Sequence, residues 1–258
     1  MANPFIQKLE RRFLLTDADR EALIQASAKT RSVQADENLI SEGDEPDHVH
    51  LIQKGFACRY KILPDGGRST TAYLVPGDIC DLHVPLLGAM DHSIATLSPC
   101  EVVLIPRETL DDLTANFPTL NRALQWAGLV DEAILREWLV SMGRRRADKQ
   151  MAHIFCELLM RLEAIGLVTD NGYTLPVTQA ELADTLGLTS VHISRVLKEL
   201  REQNLIVLKG KHLSIPDRNR LKRFADFAPN YLHLEPTRRH RRTQNHSEPR
   251  GEPLTQNL

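Results

Sequence analysis

The sequence contains no run of about 18 consecutive apolar residues, the length a helix needs to cross a bilayer. Its first residues, Met1-Ala2-Asn3-Pro4-Phe5, lack a basic stretch followed by an apolar core, so no secretory signal is expected. A cytoplasmic location away from membranes follows as the expectation. Cysteine is sparse: Cys58, Cys80, Cys100 and Cys156 lie far apart, without a Cys-x-x-Cys pair. In a cytosolic chain such thiols are expected to be reduced and mostly buried. A large net charge is missing too, but the formal −2 hides an asymmetry. Residues 1–142 hold 13 Lys/Arg against 21 Asp/Glu, and residues 143–258 hold 19 against 13. An acidic first part and a basic second part suggest that only the second meets a polyanion.

What is present reads as two modest domains, for which 258 residues suffice. Residues 4–29 carry the spacing of short helices, with Phe5, Ile6 and Leu9, then Phe13 and Leu14, then Leu23 and Ile24 after Thr16-Asp17. From about Ser32 short apolar or alternating runs are separated by turn residues, and Gly43, Gly55, Gly66 and Gly77 follow one another at intervals of 12, 11 and 11 residues. That rhythm predicts an antiparallel β-roll of jelly-roll type, completed by strands at His92 to Leu97 and Glu101 to Ile105. Residues 107–142 are predicted helical. Leu120, Leu124, Ala127, Val130, Ile134, Trp138 and Met142 form a stripe with Arg122, Asp131, Glu132 and Arg136 elsewhere on the wheel. A helix of about 25 residues is too long for one small roll to cover, so part of the stripe is expected to pack against a second copy of itself and part against the roll. Gly143-Arg144-Arg145-Arg146-Ala147-Asp148 reads as a hinge, followed by a helix to about Ile165, a turn at Asn171-Gly172 and a short strand. The polar residues 236–258 read as a disordered tail.

The most specific stretch runs from Thr178 to Leu197. Thr178 with Glu181 spells a capping box, Ala183 allows a close helix crossing, and Gly187 supplies a tight turn. Thr189-Ser190 caps a second helix whose first turns present Ser190, Val191, His192, Ser194 and Arg195, the polar and basic side chains a major-groove reader requires. A hairpin with a basic tip follows, Lys209-Gly210-Lys211-His212, in the position of a wing that touches phosphates. The fold class is therefore α+β: a β-roll, a long dimerisation helix and a winged helix-turn-helix that binds double-stranded DNA. The expected domains are 1–142, 143–235 and the tail.

In this order of parts, with Pro76-Gly77-Asp78-Ile79 and the segment from Leu182 to Ile215, the chain resembles the Crp/Fnr family of bacterial transcription regulators over roughly residues 30–225. The resemblance implies a cyclic-nucleotide-binding-like roll, a homodimer through the long helix, two-fold symmetric DNA sites, RNA polymerase as a further partner, and no enzymatic activity. It also implies an effector pocket at Gly77, Asp78, Cys80, His83, His92 and Ser93. Two departures stand out. Members that bind cyclic AMP carry Gly-Glu for the ribose hydroxyl and Arg-Ser or Arg-Thr for the phosphate, where this chain has Gly77-Asp78 and His92-Ser93. An imidazole is a poor substitute for a bidentate guanidinium, which argues against cyclic-nucleotide binding and leaves the effector unknown. The oxygen-sensing branch uses N-terminal cysteines, and none precedes Cys58, which argues against an iron–sulfur cluster. In the recognition helix, Val191 stands where the family has a Glu that accepts from cytosine, whereas Ser194 and Arg195 match the family pattern.

Other readings stay open at this stage. Cys80, Asp81, His83 and His92 include ligand types that hold a metal or haem, although isolated His and Cys on a β-roll are more often structural. Thiol sensing through Cys80 or Cys100 is a further possibility. A cupin-like enzyme would need a clustered His/carboxylate set; His48 and His50 share a strand face, but no obvious partners complete one. The last alternative is a ligand-binding module that does not bind DNA.

Overall fold

The structure, a computed structural model, describes residues 3–82 and 87–234. His83 and the tail from residue 236 onward, both singled out above, lie outside the described residues.

Two short helices open the chain, α1 (Pro4–Glu10) and α2 (Asp17–Ala26), each started by a side-chain cap, from Asn3 and Thr16 respectively. Eight strands follow: β1 (Thr30–Val33), β2 (Asn38–Ile40), β3 (His48–Lys54), β4 (Ala57–Ile62), β5 (Arg68–Leu74), β6 (Ile79–Cys80), β7 (Ser93–Thr96) and β8 (Cys100–Pro106). They pair antiparallel into two four-stranded sheets, ordered β1-β8-β3-β6 and β2-β7-β4-β5. The four turn glycines of the 11–12-residue rhythm all have positive φ, so the rhythm marks the turns of a roll. At Gly77 no other residue would fit: a Cβ there would stand 2.8 Å from the carbonyl oxygen of Pro4, because α1 lies directly on this turn.

Each sheet is buried on both faces, which is why several strands read as continuous apolar runs rather than as alternation. Ile52, Ala57, Leu74, Cys80, Ile94 and Val102 meet between the sheets. The outer face of the first sheet, Val49, Leu51, Val103 and Ile105, is covered by α1 and α2, by α3 (Arg107–Asn116) and by the start of α4 (Pro118–Arg144). The outer face of the second sheet, Phe56, Cys58, Tyr60, Tyr73, Val75, Ala95 and Leu97, joins a third core that continues into the C-terminal part of the chain. The two lobes therefore share apolar surface.

The long helix α4 has 27 residues and spans about 40 Å. Its stripe divides differently from the expectation. Leu120, Leu124, Ala127, Val130, Ile134 and Trp138 are all buried within the protomer. The apolar side chains left facing solvent are Leu129, Leu135, Leu139, Val140 and Met142. Gly143 is still helical; the chain turns only at Arg145, with extended φ −93° and ψ 146°. Helix α5 (Ala147–Glu163) follows, with Met151, Phe155, Leu158 and Leu159 at its buried centre. The C-terminal lobe is completed by β9 (Gly172–Thr174), α6 (Gln179–Leu186), α7 (Ser190–Glu202), β10 (Val207–Lys209), β11 (His212–Ser214), α8 (Arg218–Phe224) and a 3-10 turn at Pro229–Leu232.

All four thiols are buried. Burial pushes Cys58 and Cys100 up to about 11 and Cys156 to about 12, and raises Cys80 well above its ordinary range. The thiolate is the reactive form, so Cys80 and Cys100 are poorly placed as redox sensors. Native protein exposed to iodoacetamide at neutral pH should keep all four thiols unmodified by mass spectrometry, and should be labelled at each only after unfolding. Rapid labelling of Cys80 or Cys100 in the folded state would contradict this.

Candidate nucleic-acid interface and effector cavity

The helix-turn-helix is built as its local sequence demands. The Thr178 hydroxyl accepts from the Glu181 amide at 3.2 Å, and the Glu181 carboxylate accepts from the Thr178 amide, closing the capping box at the start of α6. Gly187 ends α6 in the left-handed region at φ 64°, so that α7 turns back across α6. The Thr189 hydroxyl accepts from the His192 amide at 3.3 Å and caps α7. Leu182, Ala183 and Leu186 from α6 and Ile193, Val196, Leu197 and Leu200 from α7 are buried in the shared core.

With that face buried, the opposite face of α7 is left open. Ser190, Val191, His192, Ser194 and Arg195 are all exposed, Val191 by 62%. These residues lie in the first two turns of α7, where the positive end of the helix dipole favours an anion. The wing is a hairpin of β10 and β11 extended by β9, with Gly210 at φ 60° at its tip. Lys209 and Lys211 flank that tip and are exposed. Among the described residues no carboxylate lies within ion-pair distance of Arg195, Lys209 or Lys211. These cations are uncommitted, whereas the cations of the roll are largely paired. Thr178 serves its helix as a cap and stands exposed at the start of α6.

A cavity of about 540 Å³ lies between the roll and α4. Ile79 and Leu82 from the roll and Ala127, Gly128 and Leu135 from α4 form much of its wall. Its cations are already engaged: Arg59 pairs with Asp131 at 2.9 Å, Lys61 with Glu42 at 2.9 Å, and Lys8 with Asp78 at 2.7 Å. Burial opposes the charge on Arg59, but Asp131 and further acidic neighbours together outweigh it and raise the guanidinium above its usual range.

Of the described residues expected to form an effector pocket, only His92 lines this cavity, and its Nδ1 is paired with the carboxylate of Asp91. Asp78 is turned inward and fully engaged by protein partners. It is almost fully buried, takes the Val75 amide at 2.8 Å, and is held by Lys8 and by Arg161 of α5. Burial alone would raise its carboxyl; the charges of Arg161 and Lys8 prevail and hold it at about 2. Gly77 is covered by α1, Cys80 is enclosed between the sheets, and the Ser93 hydroxyl accepts the Glu42 amide at 2.9 Å. Asp81 accepts from both the amide and Nδ1 of His50, at 3.1 and 2.9 Å, so it is not a free metal ligand. His48 and His50 do share a face, with ring centroids 5.0 Å apart. Among the described residues no three His, Cys, Asp or Glu side chains gather as a metal site would need.

Sequence reasoning missed Arg161 and Glu157. Glu157 is fully buried and accepts from Trp138 Nε1 and Tyr231 Oη, each at 3.0 Å, and from Arg161 at 3.0 Å. The one available signal was a pair of opposite charges four apart in the apolar stretch of α5, which reads equally well as a surface pair.

Known proteins agree with this architecture. Residues 30–117 match the cyclic nucleotide-binding domain model and residues 149–224 the Crp-like helix-turn-helix model. Similar relatives include the transcriptional activator protein FnrL of Cereibacter sphaeroides, 27% identical over 209 residues covering 80% of this chain and 84% of that one. The fumarate and nitrate reduction regulatory protein of Escherichia coli K12 is 24% identical over 220 residues, covering 84% and 87%. Among solved structures, FixK2 from Bradyrhizobium japonicum superposes with a TM-score of 0.69 at 24% identity, covering 78% of this chain and 98% of that one. With both halves matched in the same order, and a free recognition helix beside a basic wing, the chain belongs to the Crp/Fnr family of DNA-binding transcription regulators.

Proposed function

We propose that this regulator binds two-fold symmetric promoter sites as a cytoplasmic homodimer, with RNA polymerase as its further partner. Residues 1–142 serve as the sensor roll with its dimerisation helix, residues 143–235 as the winged DNA-binding domain, and residues 236–258 as a polar tail. The observation that carries this reading is the exposed, uncommitted face of α7 set beside the wing. Arg195 donates to a guanine, Ser190, His192 and Ser194 contact the groove or its rim, and Thr178, Thr189, Lys209 and Lys211 lie toward phosphates. Val191 has no hydrogen-bonding group and can only touch a thymine methyl.

The partner surface is the solvent face of α4. Leu135, Leu139 and Met142 stand three and four residues apart, flanked by Leu129 and Val140, and a second copy of the helix would bury them. Leu135 also borders the cavity, so an effector there would touch the dimer face directly. The cavity is the effector site of this reading. With no free guanidinium for a phosphate among its described residues, it suits a ligand other than a cyclic nucleotide.

Selection of bound sites from random DNA is the direct test. Each half-site should keep a strong G·C pair read by Arg195, while the pair that the family reads with Glu is relaxed or shifted toward T. Arg195→Ala should cost about 1–3 kcal/mol and flatten one position, whereas Lys209→Ala or Lys211→Ala should weaken all sequences alike and lower the salt slope. Selected sites that keep both family positions unchanged would mean that Val191 does not face that base. Leu139→Asp should give monomers by light scattering. Ile134→Ala, inside the protomer, should leave the dimer intact but cost about 2–5 kcal/mol in urea unfolding. Calorimetry with cyclic AMP or cyclic GMP at neutral pH should show no low-micromolar binding.

A further inference from the structure

The acid that cyclic-nucleotide-binding relatives would offer to a ribose is spent here on holding the two lobes together. Asp78 sits in the turn after β5, and α1 covers that turn so closely that Lys8 reaches the carboxylate at 2.7 Å. From the other side Arg161 of α5, only 9% exposed, donates one Nη to Asp78 and to the Tyr73 carbonyl, at 3.0 Å for the carbonyl. Its other Nη donates to Glu157 at 3.0 Å. Glu157 in turn holds Trp138 of α4 and Tyr231 of the C-terminal turn. A second bond crosses the same boundary nearby. The Thr185 hydroxyl gives its proton to the Glu181 carbonyl at 2.7 Å, so the Tyr73 hydroxyl donates to Thr185, at 2.6 Å, and ties β5 to the first helix of the helix-turn-helix. Arg11 of the segment after α1 reaches the Ala164 carbonyl at the end of α5 at 2.9 Å.

We infer that Lys8, Asp78, Arg161 and Glu157 form a latch that positions the helix-turn-helix on the roll, with Asp78 and Arg161 as its positioning residues for DNA binding. This rests on the two-fold reading above, because orientation matters only when two recognition helices must reach two half-sites at once. The chemistry favours a fixed geometry. A guanidinium fork can bridge two carboxylates and a carbonyl in one plane, which the single ammonium of lysine cannot do. None of these four residues contacts the exposed face of α7, so loss of the latch leaves each recognition helix folded but turned away from its partner's register.

The test uses full-length protein, the selected two-half-site fragment and a fragment carrying one half-site, read by fluorescence anisotropy at several salt concentrations. Wild-type protein, unfolded in urea and refolded to strip small molecules, should bind the full site more tightly than the half-site without any addition. Asp78→Asn and Arg161→Lys should each weaken the full site about 5–150-fold, the usual range for coupled sites. Half-site affinity should stay within about twofold, and the salt slope on the full site should fall toward that of one half-site. Light scattering and thermal unfolding check that each variant is dimeric and folded, and Arg161→Lys, which keeps the charge, stands if Asp78→Asn does not fold. Folded, dimeric variants that retain the full-site advantage would overturn the latch, as would equal losses on both fragments. A monomeric wild type with no full-site advantage would instead remove the two-fold reading itself, and the latch with it.

Discussion

At the boundary between the two lobes, Arg161 is buried between Asp78 of the roll and Glu157 of its own helix. A guanidinium buried between two carboxylates replaces its lost hydration only if both partners and their geometry are kept. Here it is kept through four separate segments: the turn after β5, the N-terminal helix, α5 and the C-terminal turn carrying Tyr231. Removing one partner from such a pair typically costs about 3–5 kcal/mol, because the remaining charge stays buried. The segments are therefore constrained together, and the apolar core shared by Tyr73, Trp138 and α5 can close around them.

That constraint explains a division of labour among charges. In and around the roll, Asp78, Asp81, Asp131, Arg59 and Lys61 pair with one another or with neighbours, so these charges are compensated internally. In the C-terminal lobe Arg195 and the wing lysines are left without carboxylate partners among the described residues and face outward. An uncommitted cation keeps its full attraction for phosphate, whereas a paired one must first give up its partner. The DNA-contacting role proposed for these residues rests on which charges are free rather than on the net charge, which is close to neutral.

The cavity between the roll and α4 belongs to the same logic. Its wall combines apolar side chains with cations that are already neutralised, so shape and apolar contact would dominate recognition there. Leu135 belongs both to this wall and to the exposed face of α4. In the proposed homodimer, occupancy of the cavity and pairing of two long helices would thus be linked through one side chain, while Asp78 is turned to internal support.

Much was decided by the sequence alone, because the features concerned are local. The glycine rhythm from Gly43 to Gly77 marks positive-φ turns that few other residues adopt, and the capping box at Thr178 with Gly187 defines where α6 begins and ends. Such signals need only neighbouring residues, so the roll, the helix-turn-helix, the wing and the exposure of Val191 and Arg195 were all legible. The long helix was legible as a helix, but its faces were not. An apolar stripe records that a side will be buried, not against what, and only the docking of the roll showed that Ile134 and Trp138 are internal while Leu139 and Met142 are free. Asp78 likewise read as a shortened ribose acid, since its partners Lys8 and Arg161 lie 70 and 83 positions away. Contacts between residues so distant along the chain leave no periodic trace, and tertiary packing alone made a ligand position into a structural one.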